Sequence, residues 1–317
     1  MTESIGMTLL LLFVMSLLLS KSARMVTTSL QRLAVRLHIS HFFVSVILLA
    51  IATSFPELFV GTVSAFEEKS VLALGMLLGS NIADLGLVAG GATLLTRSVK
   101  ISKTILSKDV LYALGMSFIP VFLLLDGTLS RLDGIVLLGL FGLHIVKLTR
   151  EFKLTEHKLF DFIEKDGAKA FLTFLVGMVI LLISAEAVVK LSVLTGTKLG
   201  IPLLLIGFFA VAIGTSLPEL GVEIAAASRR DGEVFFGDVL GSLVTNSTLV
   251  LGLVAIISPI VLESIAPYLL AIIFLAILSI FFFLFIRSKQ TLSQGEGAVL
   301  LLFYLLFAII EFVRTRI

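Results

Sequence analysis

The stretch ATSFPEL at residues 52–58 recurs as GTSLPEL at residues 214–220, and each copy lies within a long apolar segment. Both copies place a proline and a glutamate where a membrane-spanning helix is expected. A carboxylate at the bilayer centre costs on the order of 3 kcal/mol by insertion scales, and a proline interrupts the hydrogen bonds of a helix interior. Such irregular backbone survives in a membrane only when it is buried in protein or lines a wet cavity.

The composition is that of a helical membrane protein. Apolar residues make up 58% of the 317 residues and charged residues 15%, whereas soluble domains are about half apolar and about a quarter charged. The apolar runs are continuous, without the alternation typical of an outer-membrane barrel. The net charge of +2 does not indicate nucleic-acid binding, and the absence of cysteine excludes disulfides, thiol catalysis and cysteine-ligated metals.

Apolar windows predict ten membrane-spanning helices. They cover roughly residues 5–20, 39–66, 70–96, 110–125, 132–148, 168–189, 199–228, 234–262, 264–286 and 297–313. Most of the 24 lysines and arginines follow the odd-numbered spans, among them Lys21 and Arg24 after the first. The excess of basic residues predicts a cytoplasmic location for these segments and an outside location for both termini of a multi-pass cell-membrane protein.

The chain contains two copies of one five-span unit, which align without a gap at an offset of 162 residues. The aligned pairs include Thr53 with Thr215, Ser54 with Ser216, Pro56 with Pro218, Glu57 with Glu219, Gly79 with Gly241, Ser80 with Ser242, and Asp84 with Asn246. The first copy covers residues 1–149 and the second 168–317, joined by a polar cytoplasmic linker at 150–167. Because five spans is an odd number, the second copy is predicted to enter from the opposite side, as in the inverted repeats of secondary transporters.

The repeated motif predicts a cation site made of oxygen atoms. Each proline removes regular hydrogen-bonding partners from the residues before it, so backbone carbonyls near Ala50 and Ala212 are expected to be free to face a ligand. Adjacent hydroxyls come from Thr53, Ser54, Thr215 and Ser216. Together with two glutamates, these groups form the oxygen shell that hard cations such as Ca²⁺ and Na⁺ prefer.

A second repeated element supports this prediction. LLGSNIAD covers residues 77–84 and VLGSLVTN residues 239–246. The separation from Glu57 to Asp84 is 27 residues, and so is that from Glu219 to Asn246. A short turn between paired helices would bring these four side chains to similar depth, while Gly79 and Gly241 permit close helix approach.

Four polar residues of these segments keep open interpretations. Asn81 and Thr245 fit either cation binding or helix packing. Glu223 and Asp238 have no partner in the repeat, because they align with Gly61 and Met76. They fit a cytoplasmic vestibule, a proton relay or near-surface charges, and the last of these is the favoured interpretation.

These residues resemble the two alpha-repeats of the cation/calcium antiporter superfamily, specifically its prokaryotic, ten-span sodium/calcium exchanger type. The resemblance covers nearly the whole chain and implies an all-α integral membrane fold with a cluster of cation sites at the midplane. It implies Glu57 and Glu219 as the main Ca²⁺ ligands. Further Ca²⁺ and Na⁺ ligands by resemblance are Thr53, Ser54, Thr215, Ser216, Ser80, Ser242, Asp84 and Asn246, with backbone carbonyls from Ala50 and Ala212.

The chain also departs from the family pattern, and the departures concern the counter-ion. Ala52 stands in place of a usual glycine, Leu243 in place of an asparagine, and the acid and amide at Asp84 and Asn246 look exchanged. The resemblance implies Ca²⁺ extrusion driven by Na⁺ entry, with H⁺/Ca²⁺ exchange as the alternative. A cation channel is a less favoured reading, and no catalytic motif such as HExxH indicates an enzyme. Neither a cofactor nor a protein partner is implied; the expected partners are Ca²⁺, a monovalent cation and the lipid bilayer.

Overall fold

The computed structural model describes residues 5–36, 53–96, 98–101, 107–152 and 167–314. The helices are α1 (Ile5–Arg36), α2 (Phe55–Phe66), α3 (Ser70–Thr96), α4 (Ser107–Leu123), α5 (Arg131–Phe152), α6 (Gly167–Leu199), α7 (Leu203–Thr215), α8 (Leu217–Ser228), α9 (Gly232–Ile257), α10 (Ala266–Lys289) and α11 (Gln294–Arg314). Four two-residue strands are β1 (Val99–Lys100), β2 (Thr128–Leu129), β3 (Ile260–Val261) and β4 (Thr291–Leu292).

Among the described residues, eight helices are long and apolar enough to cross a membrane. Helices α7 and α8 are bent by 45° between Thr215 and Leu217 and count as a ninth if the pair is one broken span, and α2 is a shorter apolar helix. The protein is therefore an all-α membrane protein. The ten predicted spans stay a prediction, because residues 39–52 of the second span lie outside the described residues, as does most of the predicted linker.

Helices α1 and α6 extend well beyond the spans predicted at 5–20 and 168–189. Lys21 and Arg24, which the sequence placed after the first span, lie on α1 itself. Lys190 likewise lies within α6, where it pairs with Glu186 one turn away. A charged side chain ends an apolar window without ending a helix, because its long aliphatic stem carries the charge towards water.

The helices of the two halves begin at matching positions. Two pairs of first residues lie 162 positions apart: Phe55 and Leu217, and Ser70 and Gly232. The short strands follow the same pattern, since β1 pairs antiparallel with β4 and β2 pairs antiparallel with β3. Strand β1 follows α3 in the first half and pairs with β4, which precedes α11 in the second half. Strand β3 follows α9 in the second half and pairs with β2, which precedes α5 in the first half.

The last helix of each half starts with the same type of cap. At the start of α5, the Ser130 hydroxyl and amide donate to the Asp133 carboxylate at 2.6 and 2.8 Å. At the start of α11, Ser293 donates to Glu296 in the same way at 2.7 and 2.8 Å. These pairs are capping boxes, which satisfy amide groups that a helix N-terminus leaves without partners.

The core lies around α3 and α9, which are mostly buried, whereas fewer than half of the residues are buried in each of the other six helices that are long and apolar enough to span. Helix α3 crosses α7 at backbone contact distance. A Cβ atom placed on Gly75 would lie 2.6 Å from the Leu204 carbonyl oxygen, one on Gly79 would overlap the Phe208 backbone, and one on Gly207 would lie 2.7 Å from the Leu72 carbonyl oxygen. The prediction that Gly79 permits close helix approach is confirmed.

Replacing Gly75 with alanine is expected to lower the melting temperature of the purified protein in detergent. The added methyl group would displace α7, and overpacking of this kind costs about 1–3 kcal/mol. Gly91→Ala in the same helix is the matched control, because a Cβ atom there meets nothing within 4 Å and the gain in helix propensity is the same. Equal melting temperatures of the two variants would contradict the close contact between α3 and α7.

Candidate cation site

In each Thr-Ser-x-Pro-Glu motif, the serine immediately precedes a helix. Ser54 precedes α2 with φ −80° and ψ 12°, and Ser216 precedes α8 with φ −82° and ψ 5°. Pro56 and Pro218 therefore lie in the first turn of a helix, where a missing amide donor costs no hydrogen bond. The predicted break is confirmed in the second copy, where it lies at Ser216. In the first copy Ser54 precedes α2, and the residues before Thr53 lie outside the described part of the chain.

At the second break, the backbone carbonyl that lacks a helical hydrogen-bond partner is not the predicted one. The Ala212 carbonyl accepts hydrogen bonds from the Ser216 amide at 2.9 Å and from the Thr215 hydroxyl at 3.1 Å, so the prediction that it is free was wrong. Helix α7 continues to Thr215, and the carbonyl four residues before Pro218 is that of Gly214. This carbonyl accepts instead from the Ser20 hydroxyl on α1, at 3.2 Å. Ala50 lies outside the described residues.

Glu57 and Glu219 lie in the first turns of α2 and α8, with only 1% and 2% of their surface exposed. The positive end of a helix dipole favours a carboxylate at this position. Asp84 and Asp238, on α3 and α9, are buried to the same degree. The four carboxyl groups are near enough to interact electrostatically with one another. The structure thus brings the two glutamates of the motif together with Asp84, as the sequence predicts.

Hydroxyl groups surround this cluster of carboxyl groups. Ser80 and Thr215 both lie beside Glu57, and their hydroxyl oxygens are 3.4 Å apart. Ser216 lies beside Asp84, and Thr53 lies beside Asp238. The Thr-Ser-x-Pro-Glu motif and α3 of the first half thus face the same motif and α9 of the second half.

Many of the buried oxygen atoms at this site have no hydrogen-bond partner among the described residues. They belong to Thr53, Ser54, Glu57, Asp84, Ser216, Glu219, Glu223, Asp238, Ser242 and Asn246. Buried polar atoms are paired in the large majority of cases, and buried charges are paired or coordinate metals. None of these carboxyl groups forms an ion pair with a described lysine or arginine. The arrangement therefore has the charge and the oxygen atoms needed to bind cations.

The acidic side chains do not form one compact cage. No three histidine, aspartate or glutamate side chains of the described ranges are placed to hold a single ion. An ion at this site would be bound by one or two carboxylates, with hydroxyl, amide or water oxygens completing its shell. This geometry fits several adjacent cation positions better than one.

Asn81 connects the two central helices. Its amide donates to the Ser247 hydroxyl at 2.8 Å, and the Asn246 amide donates to the Asn81 carbonyl oxygen at 3.5 Å. The Asn246 carbonyl oxygen has no donor within the described part of the chain. Asn81 thus makes the interhelical contacts expected of a packing residue, while the Asn246 carbonyl is available to a ligand. Thr245, the other residue with an open interpretation, is also buried.

The two central helices share a feature that the sequence did not indicate. A π-helical turn covers Asp84–Val88 in α3 and Thr245–Val250 in α9. Such turns are rare, and they are frequent at functional sites because they change the direction of side chains. Asp84 and Asn246 therefore lie at matching points where each helix is widened.

Glu223 and Asp238 do not lie near the surface. Glu223 is fully buried and Asp238 is 3% exposed, and their carboxyl groups lie next to one another. The interpretation of these residues as near-surface charges was wrong. Glu223 follows Glu219 by one helical turn, so it shares the face of α8 that points into the protein.

A model of the family described as "Sodium/calcium exchanger protein" matches residues 7–149 and 169–313, which is most of the chain. The chain belongs to this exchanger family. Among curated relatives, the inner membrane protein YrbG of Escherichia coli is 33% identical over 262 residues, which cover 79% of this chain and 80% of YrbG. The sodium/calcium exchanger MaX1 of Methanosarcina acetivorans is 28% identical, covering 90% of this chain and 92% of MaX1.

A solved structure of an exchanger-family member has the same fold. The sodium-calcium exchanger NCX_Mj superposes with a TM-score of 0.64 at 27% sequence identity, covering 93% of this chain and 95% of that chain. The predicted resemblance to the sodium/calcium exchanger type is confirmed. Membership of the exchanger family makes the protein a membrane antiporter for ions, in agreement with the sequence-based preference for a transporter over an enzyme.

Proposed function

We propose that the protein exchanges Ca²⁺ for Na⁺ across the membrane by alternating access at an all-oxygen site near the bilayer midplane. The observation that carries this proposal is the concentration of buried, unpartnered oxygen atoms around the two Thr-Ser-x-Pro-Glu motifs. The likeness to MaX1 and NCX_Mj, both named as sodium/calcium exchangers, supports it.

The proposed ligands follow from the geometry. Glu57 and Glu219 are the main Ca²⁺ ligands, because each lies in the first turn of a helix and faces the other's half. The remaining proposed ligands for Ca²⁺ and Na⁺ are Asp84, Asn246, Thr53, Ser54, Thr215, Ser216, Ser80 and Ser242. The carbonyl of Ala50, which lies outside the described residues, is proposed on the family resemblance alone. Ca²⁺ takes six to eight oxygen ligands, and this set supplies that number for an ion shared between the two halves. The Ala212 carbonyl, occupied by two hydrogen bonds, is not included.

The proposed topology is ten spans in two inverted five-span repeats, residues 1–149 and 168–317, with a cytoplasmic linker at 150–167. The matching helix starts and the exchanged strand pairs support it. The family model, which matches two separate segments, agrees with this division. In this topology α8 runs towards the cytoplasm and both termini lie outside the cell membrane.

The absence of cysteine from the chain allows a direct test of this topology. Arg229→Cys in the α8–α9 turn and Glu263→Cys in the β3–α10 connection place single thiols at exposed positions predicted to lie on opposite sides. In intact cells, a membrane-impermeant maleimide is expected to label the thiol at 263 and not the thiol at 229; inside-out vesicles should reverse the pattern. Labelling of both thiols from one side would contradict the predicted orientation.

Alternating access follows from the charge of the site. Several buried carboxylates without a cation oppose movement of the site through the low-dielectric interior, whereas bound Ca²⁺ or Na⁺ neutralises them. Competition of the two ions for shared ligands then couples their movements.

Helices α1 and α6 pack along one another at the edge of the protein, and they are the proposed moving pair. The Ser20–Gly214 hydrogen bond connects α1 directly to the second break.

The test of this function is ⁴⁵Ca²⁺ uptake into proteoliposomes that contain the purified protein. An outward Na⁺ gradient is compared with an outward proton gradient, each with a choline control. Na⁺-driven uptake is the expected result. Uptake driven only by protons would keep the fold and the site but replace the counter-ion, in favour of H⁺/Ca²⁺ exchange.

A further inference from the structure

The two copies of the repeat differ at one pair of facing positions. In the first copy, α2 carries Gly61 and α3 carries Met76, and a Cβ atom on Gly61 would lie 3.6 Å from the Met76 methyl carbon. In the second copy, the aligned residues on α8 and α9 are Glu223 and Asp238, whose carboxyl groups face one another. One copy therefore has an apolar contact where the other has two acids.

The acidic pair has no compensating group among the described residues. All four carboxyl oxygens lack a hydrogen-bond donor, and no described lysine or arginine pairs with them. A third oxygen borders the pair: the Thr53 hydroxyl lies beside Asp238, is 92% buried and also has no partner. Two adjacent carboxyl groups in a protein interior stay ionised together only when a cation offsets their charge and their loss of water.

The position of the pair relative to the central cluster is well defined. Glu223 lies one helical turn beyond Glu219, towards the α8–α9 turn at Arg229 to Asp231. Asp238 lies on α9 less than two turns from its start at Gly232, which follows the same turn. The pair thus lies between Glu219 and the end of the protein that the basic residues predict to be cytoplasmic.

We propose that Glu223 and Asp238 form an additional cation site, specific for a divalent hard cation of the Ca²⁺ class, next to the Glu57, Asp84 and Glu219 carboxyl groups and sharing the Thr53 hydroxyl with them. Two carboxylates balance one divalent charge, and water completes the oxygen shell that Ca²⁺ requires. The pair would hold an ion arriving from the cytoplasmic side before that ion reaches Glu219. The first copy, with Gly61 and Met76, has no such site on the opposite side. This inference rests on the proposed function, since it assumes that Ca²⁺ enters the central cluster.

The test counts bound Ca²⁺ by equilibrium dialysis of the purified full-length chain with ⁴⁵Ca²⁺ in Na⁺-free buffer. The wild type is expected to bind more than one Ca²⁺ per chain. The double variant Glu223→Gly with Asp238→Met installs the residues of the first copy and is expected to bind one Ca²⁺ fewer. Glu223→Gln with Asp238→Asn keeps the shape of the side chains and decides the question if the first variant does not fold. Glu219→Gln, by contrast, should lose the central ion and retain the additional one.

The outcomes separate this inference from the proposed function. If the isosteric double variant binds as many Ca²⁺ ions as the wild type with unchanged affinity, while Glu219→Gln binds fewer, the additional site is wrong and the proposed function stands. If the wild type binds no Ca²⁺, the proposed function itself is overturned and the inference fails with it. A loss of one ion in both double variants, at an unchanged elution volume on size exclusion, would establish the additional site.

Discussion

Replacing Glu219 with glutamine is expected to reduce Na⁺-driven Ca²⁺ uptake to the background of empty liposomes. The substitution keeps the volume of a side chain that is 2% exposed but removes a charge that would bind the ion. Removing one partner of a buried charge pair costs about 3–5 kcal/mol, which corresponds to a loss of Ca²⁺ affinity of at least about a hundredfold. Initial rates of ⁴⁵Ca²⁺ uptake measure the effect.

Glu186→Gln is the matched control for this prediction. Glu186 lies on α6, its side chain is 53% exposed, and it pairs with Lys190 on the surface. Because exposed ion pairs contribute little, this variant should transport at the wild-type rate. Undiminished exchange by Glu219→Gln would show that the repeated glutamate does not bind the transported ion.

Replacing Asp84 with asparagine is expected to lower Ca²⁺ uptake at least about tenfold, because one buried carboxylate next to Glu57 is lost and a charged hydrogen-bonding group is worth about 1.5–3 kcal/mol. The exchanged variant Asp84→Asn with Asn246→Asp should recover much of this loss. Asp84 and Asn246 lie at matching points of two π-helical turns, so the exchange moves the charge to the equivalent position in the other half. Concentration dependence of uptake for the wild type, both single variants and the exchanged variant gives the coupling between the two positions.

The outcome for the exchanged variant distinguishes two accounts of the site. If the two halves contribute equivalent positions, the total charge decides and the exchanged variant recovers transport. An exchanged variant as inactive as Asp84→Asn alone would show that the two positions are not equivalent, and the pseudo-symmetric account would be wrong. Asn246→Asp alone adds a carboxylate and shows the effect of extra charge without loss of Asp84.

The sequence predicted the central features of the site because a duplication supplies an internal comparison. A single TSxPEL motif in an apolar segment has several explanations, but two copies with equal spacing to Asp84 and Asn246 leave few. The structure places both glutamates, both central helices and the second break where this comparison predicts them. The ten spans and the inverted orientation of the halves stay predictions.

The same comparison misled where the copies differ. Glu223 and Asp238 were interpreted as near-surface charges because they lack counterparts in the first copy. The spacing of these residues along their helices indicates that they face the site. Glu223 follows Glu219 by four residues, and Asp238 precedes Ser242 by four and Asn246 by eight. Residues at this spacing share one face of a helix, and that face lines the site.

Other details of the structure carry no signal in the sequence. No residue pattern in the sequence predicts the π-helical turns that begin at Asp84 and Thr245. The error at Ala212 has a local cause: the chain continues one more turn of α7 before it breaks, so the Ser216 amide still reaches the Ala212 carbonyl. The Gly214 carbonyl, which lacks a helical partner, then accepts a hydrogen bond from the Ser20 hydroxyl on α1. Only the tertiary structure reveals this contact.

An antiporter moves one ion only in exchange for the other, and following both ions at the same time shows whether their movements are coupled. Proteoliposomes are loaded with Na⁺, the membrane potential is clamped with K⁺ and valinomycin, and ⁴⁵Ca²⁺ and ²²Na⁺ are followed together. The account predicts that Ca²⁺ accumulates above its external concentration while Na⁺ leaves, and that an outward Ca²⁺ gradient drives uphill Na⁺ uptake in the reverse experiment. Ca²⁺ that merely equilibrates across the membrane, at a rate independent of Na⁺ and of protons, would contradict antiport and indicate a channel.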